Sequence, residues 1–386
     1  MEKKRLLVTG STFPRWEGDT EPRFVLDLSK NMLDEYDVTA LVPAAPGAKE
    51  TEVLEGVKVI RYHYFPIHRW ETLCYPGAIV PRIKEKKIRI FLVPCLLLAM
   101  WIKLKKILPE YDLVHVHWLI PQGIVQSFFK KPYIVTGHGG DVTSLNKGIL
   151  KKLKIRTLKN AKKVTVVSEY LKNKVQELVP DCEPEVISMG VDTTKFGRQY
   201  HKDNYFGQGD KKVVLFVGRL AEKKGVTYLI DAMRDIDAKL VIAGNGPLRE
   251  ELMVQAKEQG DKIVFLGSKT HDELKTIYAS ADVFVAPSIT AKDGDQEGVP
   301  TTIMEALASG VPVVASDSSG IKELISHNVN GLLCEEKNVK QLKEAISSVL
   351  EDELLRNKLL SGAKETTEKY DYRNIAARYK QQLRNL

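Results

Sequence analysis

Residues 282–315 carry the pattern that most narrows the folds open to this chain. Apolar runs at 282–287 and 311–315 read as two buried strands. Between them lie a loop marked by Gly294 and Gly298 and then a helix-forming segment closed by Gly310 and Pro312. Pro300 fits the first helical position, where its missing N–H is not needed. Strand, glycine-rich loop, helix, strand is the unit of a parallel α/β sheet. Its helix N-terminus opens at the carboxyl end of the strands, where such sheets bind ligands.

Two acids flank that helix end, Glu297 in the loop and Glu305 inside the helix, with seven residues between them. Glu305 lies five residues past Pro300, so about 7 Å along the helix axis at 1.5 Å per residue. The backbone N–H groups from Val299 to Thr302 can receive an anion, helped by the helix dipole, which makes Gly298, Val299, Pro300 and Thr301 donor-binding candidates. Carboxylates on either side of an anion suit hydroxyls on either side of a diphosphate, which is the layout of a nucleotide sugar.

Glu297 and Glu305, set in Glu-Gly-x-Pro…Glu-Ala-x-Ala-x-Gly-x-Pro-Val, resemble the E-x7-E signature of the retaining family 4 glycosyltransferases. The resemblance implies the GT-B fold, an α/β architecture of two Rossmann-like, doubly wound parallel-sheet domains facing a cleft. It implies a last helix that crosses back to the first domain and a cleft that closes on the donor. It also implies a UDP- or GDP-linked sugar as donor, with no further cofactor and no required metal.

The remaining pattern agrees. At 386 residues the chain has room for about two cores. In the first half, strands read at 5–9, 38–42, 57–65, 113–118, 133–137, 164–167 and 185–188. Helices read at about 22–33 and at 169–178, the latter behind Ser168. A polar, aperiodic stretch at 193–210 reads as a linker. Gly190-Val191-Asp192…Phe196 resembles the family's hinge, with Met189 where the family often has Asn. The second half reads as strands at 213–217, 240–243, 263–266, 283–286, 312–315 and 332–334, then helices near 339–350 and 353–366. The expected domains are 1–192 for the acceptor and 211–370 for the nucleotide sugar. By resemblance alone, the tail 371–386 joins the first.

Several turns carry candidate chemistry. Gly218-Arg219-Leu-Ala-Glu-Lys223-Lys224-Gly follows a strand with a planar cation and a lysine five residues on, a diphosphate clamp. Arg219 and Lys224 match the family's pair, and Lys223 is the neighbouring solvated alternative. Gly244 and Gly246, in Gly-Asn-Gly-Pro, and Ser268, after the strand at 263–266, are implied to line the donor site through backbone. His138, in His-Gly-Gly-Asp, matches the family's histidine that holds the donor sugar. Asp141 there reads as a loop brace or an N-cap. In the first loop, Gly10, Arg15, Gly18 and Asp19 are acceptor-side candidates, although the family's close Gly-Gly pair is absent. Arg15 also reads as a solvated side chain, and Asp19 equally as an N-cap for the helix near Pro22.

Charge narrows the partners. The net charge is +8, gathered at 82–89, 103–106 and 147–163 in the first half, which suits a phosphorylated or lipid-linked acceptor, or peripheral contact with an anionic membrane. No aromatic-interleaved basic motif accompanies these clusters, so nucleic acid is not expected. The apolar segment at 90–102 is about 13 residues, short of the ~20 a spanning helix needs, with Pro94 inside it. It reads as a buried core helix, with an interfacial segment as the alternative. His115 and His117 share one strand face; a packed strand end is preferred to a metal site. Cys74, Cys95, Cys182 and Cys334 fit no zinc spacing and read as free thiols in a cytoplasmic protein. The first residues are too short in apolar character for a signal segment.

The function expected is thus hexosyl transfer from a nucleoside diphosphate sugar to an acceptor hydroxyl, in polysaccharide, glycolipid or other glycoconjugate synthesis. A sugar-nucleotide epimerase and a non-catalytic sugar-nucleotide-binding subunit on the same fold are the rivals. A glycosylated product separates transfer from the first, and turnover separates it from the second.

Overall fold

The computed structural model describes residues 3–292, 294 and 296–386, with the backbone alone at 319. Asp293 and Asp295, at the start of the motif loop, lie outside the described residues. The chain forms two units, Met1–Met189 with Tyr372–Leu386, and Gly190–Asp371.

The first unit is built on β1 Lys4–Thr9, β2 Tyr36–Pro43, β3 Thr51–Leu54, β4 Val57–Tyr62, β5 Leu113–His117, β6 Tyr133–Gly137, β7 Lys163–Val166 and β8 Glu185–Val186. They form one sheet in the order β3-β4-β2-β1-β5-β6-β7-β8. Every pairing is parallel except β3 against β4 at the edge. The strand expected at 57–65 contains β4, whereas β3 escapes the sequence reading because the apolar alternation of 51–54 is weak for so short a strand. The helix expected over 22–33 spans Phe24–Lys30.

The segment at 90–102 becomes the helix Leu92–Ile107. Pro94 does not interrupt it, because it falls in the first turn, where its N–H has no intrahelical acceptor to lose. Only one face is buried, through Leu96, Met100, Leu104 and Ile107. The last helix, Tyr372–Arg384, packs into this unit. Ile375, Tyr379 and Leu383 are buried, and Lys380 Nζ lies 2.6 Å from the Asp34 carboxylate.

The second unit holds β9 Lys212–Val217, β10 Ala238–Ala243, β11 Ile263–Gly267, β12 Val283–Ala286, β13 Val313–Ser316 and β14 Leu332–Cys334. All pairings are parallel, in the order β11-β10-β9-β12-β13-β14. Strands apolar along their whole length, such as Val213–Val217 in β9, are what a sheet covered on both faces requires. Strand order reverses between β9 and β12, which makes the loops after those two strands the expected ligand site.

The stretch 193–210 lies within this unit and packs against it. Phe196 is buried edge-on to Tyr278, and Arg198 donates to the carbonyls of Gly310 and Ala279, each at 3.0 Å. The Val191 N–H donates to the Tyr370 carbonyl at 2.8 Å. Among the described residues, no helix is long and apolar enough to cross a membrane.

Candidate functional site

The two loops at the reversal point are pressed together. A Cβ on Gly225, which has φ +62°, would stand 1.9 Å from the Pro287 carbonyl oxygen, so only glycine admits this approach. The Ile289 N–H donates to the Lys223 carbonyl at 2.8 Å. The turn Glu222–Lys224 therefore delivers its lysines to the loop after β12. Lys224 Nζ lies 2.8 Å from Glu297 Oε2, and Lys223 Nζ lies 3.4 Å from Oε1. Lys223 is thus a second cation on the same carboxylate and not a merely solvated neighbour. Glu297, with its side chain 10% exposed, feels burial as the largest single influence, pushing its pKa up. Lys224 and Lys223 together outweigh that and hold it below the usual carboxylate value.

The Glu297 loop is braced from behind. A Cβ on Gly320 would lie 1.8 Å from the Gly298 carbonyl oxygen, so the backbone after β13 closes directly on the loop. Pro300 is the residue before the first turn and not the first helical residue. Its φ of −72° suits either position, but its ψ of 120° is extended. The helix runs Thr301–Ala308 with no side-chain cap and no acid in its first turn. The Ile303 N–H donates to the Pro300 carbonyl at 3.2 Å, and the N–H groups of Thr301 and Thr302 lead the helix ahead of it, where an external anion can be received.

Glu305 sits on the buried side of this helix, 7% exposed. The Tyr278 hydroxyl donates to its Oε2 at 2.8 Å. Tyr278 itself is fully buried, tilted against Phe284. Sequence reading missed this tyrosine, because nothing in its helix, His271–Ala279, marks one aromatic among core residues.

Arg219 is exposed, and no acceptor among the described residues holds its guanidinium. Gly218 donates its N–H to the Ala243 carbonyl at 3.0 Å, and Gly244 donates to Gly267 at 2.8 Å, so the turns after β9, β10 and β11 are linked by backbone. The Gly246 N–H is taken by Asn245 Oδ1 at 2.8 Å. Ser268 is exposed just beyond β11.

In the first unit, β6 delivers His138, whose Nε2 lies 2.9 Å from His117 Nδ1. Its ring also packs against Trp118 and Phe24. Asp141 accepts the N–H groups of His138, Gly139 and Leu119 at 2.8–3.0 Å, so it is a loop brace; the short helix there has Gly139 in the capping position. His115 and His117 are buried with their rings 4.2 Å apart, and His115 Nε2 is 2.8 Å from Thr136 Oγ1. Among the described residues, no group of three or more His, Cys, Asp or Glu side chains could hold a metal. All four cysteines are free thiols.

The first loop differs from expectation. Arg15 and Asp19 hold each other, with Nη2 2.6 Å from Oδ1 and Nε 2.8 Å from Oδ2. Burial pushes the Asp19 pKa up, but Arg15 and backbone donors bring it below its usual value. Asp19 caps no helix: it is spent on Arg15 and the Thr20 N–H, and the helix begins at Phe24, where Arg23 holds the capping position with no side-chain cap. Gly18 is exposed at the tip of this loop, and Gly10 packs under Trp118. Glu21, unremarked in the sequence, is buried with its pKa raised, chiefly by that burial.

Comparison with known proteins places this geometry in context. Residues 198–366 match the model for glycosyl transferases group 1, and residues 22–195 match that for glycosyltransferase family 4. An uncharacterised glycosyltransferase of Methanocaldococcus jannaschii is 33% identical over 293 residues, 69% of this chain and 73% of its own. A GDP-mannose-dependent alpha-(1-6)-phosphatidylinositol monomannoside mannosyltransferase of Mycobacterium tuberculosis is 34% identical over 202 residues, 49% of this chain and 52% of its own. Among solved structures, sucrose-phosphate synthase of Thermosynechococcus elongatus superposes with a TM-score of 0.79 at 21% identity, over 99% of both chains. HepE of Anabaena, in complex with UDP and glucose, does so with a TM-score of 0.74 at 20% identity, over 99% of this chain and 100% of its own.

Proposed function

Since the chain belongs to the family 4 glycosyltransferases, we propose that it moves a hexosyl group from a nucleoside diphosphate sugar to an acceptor hydroxyl, with retention at the anomeric carbon. The observation that carries this reading is the convergence of Lys223 and Lys224 on Glu297, beside an uncapped helix end at the strand-order reversal. An acid held between two cations is poised to share them with a diphosphate.

In this reading the acceptor oxygen attacks the anomeric carbon while the bond from that carbon to the diphosphate breaks. The leaving phosphate oxygen takes the acceptor proton. Arg219, Lys224 and the helix N-terminus at Val299, Pro300 and Thr301 stabilise the charge that gathers there. Those fixed cations do the neutralising, so no divalent metal is required. Glu297 holds a hexose hydroxyl, Glu305 the ribose, and His138 is read as a hydrogen-bonding group for the hexose. Gly218, Gly244, Gly246, Ser268 and Gly298 line the donor through their backbone. No carboxylate nucleophile is needed, unlike in many glycosidases.

Support for the donor class comes from the ligands named for similar proteins, UDP and glucose in one and GDP-mannose in another. The phosphatidylinositol monomannoside in that relative's name and the basic first half of this chain favour a lipid-linked or polysaccharide acceptor, met at the inner face of a membrane. Melting curves with UDP-, GDP- and ADP-sugars test donor binding, since a ligand of the folded state raises the midpoint. Transfer assays then compare the unaltered chain with Glu297→Gln, with and without a metal chelator. A fall of at least about 100-fold in rate is expected for the variant, with no effect of the chelator. Equal rates in the two proteins would sink the assignment.

A further inference from the structure

The helix Leu92–Ile107 is apolar on both sides. At 100° per residue, its buried residues Leu96, Met100, Leu104 and Ile107 fall within an arc of about 80°. Leu98, Trp101 and Ile102 fall within about 100° on the opposite side. That second face is exposed, with Leu98 at 59% and Ile102 at 56%. It continues into the preceding turn, where Ile88 is 73% and Phe91 76% exposed. Across the helix, the Phe129 ring lies 6.2 Å from Trp101, next to exposed Phe128. A surface this apolar marks an interaction site on a water-soluble fold.

Charge says what covers it. Residues 82–106 contain eight Lys or Arg and one acid, Glu85. Glu85 is taken by Arg82 at 2.8 Å and Arg89 at 3.0 Å. Lys86 and Lys87 stand before the helix, Lys105 and Lys106 at its far end, and Lys105 Nζ lies 5.2 Å from the Trp101 ring. A second copy of this face would meet like charge at both ends in either orientation. At 16 residues the helix is about 24 Å long, short of the ~30 Å hydrocarbon core.

We propose that this face docks on a lipid bilayer carrying anionic headgroups, with the helix lying in the interfacial plane. Phe91, Leu98, Trp101 and Ile102 enter the boundary between headgroups and acyl chains, while the lysines at both ends meet lipid phosphates. The inference does not rest on the sugar-transfer reading, because docking requires no nucleotide sugar.

Co-sedimentation of the full chain with phosphatidylcholine vesicles, with and without phosphatidylglycerol, tests it. The chain is expected to sediment with the anionic vesicles and to be released by high salt. Phe91→Ser/Leu98→Ser/Trp101→Ser is expected to weaken binding at least about tenfold, as is Lys86→Glu/Lys87→Glu/Lys105→Glu/Lys106→Glu. Neither set touches the core, and both variants should melt like the unaltered chain and keep its response to nucleotide sugars. Control charge reversal at exposed Lys257 and Lys340 should leave binding unchanged. No binding to anionic vesicles overturns the proposal, and so does full binding by the serine variant. Concentration-dependent dimerisation abolished by the serine variant, without vesicle binding, would assign the face to a second copy instead. Capture of an acidic protein in place of vesicles would overturn it equally.

Discussion

His117 Nδ1 lies 2.9 Å from His138 Nε2, so the ring proposed to meet the hexose is held by a second imidazole. Burial keeps both rings neutral. It pulls His138 down to about 3 and His117 well below the usual histidine value, with neighbouring histidines adding to the effect. The other nitrogen of His117, Nε2, is buried with no partner among the described residues. A buried bare N–H is rarer than a bare acceptor, so the proton belongs on His117 Nδ1 and points at His138. His138 then carries its own proton on Nδ1, as a donor.

His117→Phe removes that constraint. With one hydrogen bond worth about 1 kcal/mol, kcat should fall about fivefold, while the donor KM changes less. Nitrogen-15 spectra of the unaltered protein should show His138 protonated at Nδ1; protonation at Nε2 would refute the assignment.

Acid should unfold the first unit early. His115 is also pulled down to about 3 by its burial. Each folded pKa lies below the unfolded value of about 6.5, so the unfolded chain takes the proton first. Stability is fully present above that value and is lost as pH falls from about 6.5 toward 3. The slope is at most about 1.4 kcal/mol per pH unit for each buried ring. The groups facing these rings are Thr136, Tyr379, Trp118 and Phe24, none of them an acid. Melting midpoints measured from pH 7 to pH 4.5 should drop steeply, and His115→Asn should flatten the slope. An unchanged slope in that variant would contradict the account.

Tyr278→Phe leaves Glu305 Oε2 without its phenol donor inside a buried site. The expected cost is about 1–3 kcal/mol in folding stability. Because Glu305 is read as a ribose contact, the donor KM should rise about tenfold with kcat nearly unchanged. A variant that melts lower but keeps the original KM would reduce Tyr278 to a purely structural role.

Gly320→Ala should silence the site without unfolding the chain. The added methyl would meet the Gly298 and Glu297 carbonyl oxygens at 1.8 and 2.8 Å, so the loop must move. Circular dichroism should be near that of the unaltered chain, while transfer falls by at least about 100-fold, as expected when positioned groups shift by about 1 Å. Unimpaired transfer would mean the loop tolerates displacement.

The sheet strands were legible because their near-continuous apolar runs leave few alternatives, and β6 Tyr133–Gly137 falls where it was read. Glu297 and Lys224 were legible because spacing and glycine punctuation set them after strands. Most of what stayed hidden was tertiary. Tyr278 behind Glu305 and the second lysine on Glu297 depend on which elements meet, and no local period encodes that. The Arg15–Asp19 pair is local, four residues apart in one loop, but an irregular loop has no period to read. The helix Leu92–Ile107 shows the same gap: its apolar content was plain, but only packing decides which side faces water.

The first unit consists of Met1–Met189 closed by Tyr372–Leu386, while the second is one uninterrupted length of chain. During synthesis the second unit is therefore complete while the first still lacks its final helix, with the buried Tyr379 and Leu383 yet to be made. A nascent chain must keep its earliest-made half waiting until Tyr372–Leu386 has emerged, and a stop codon ahead of Tyr372 would injure the half that was translated first.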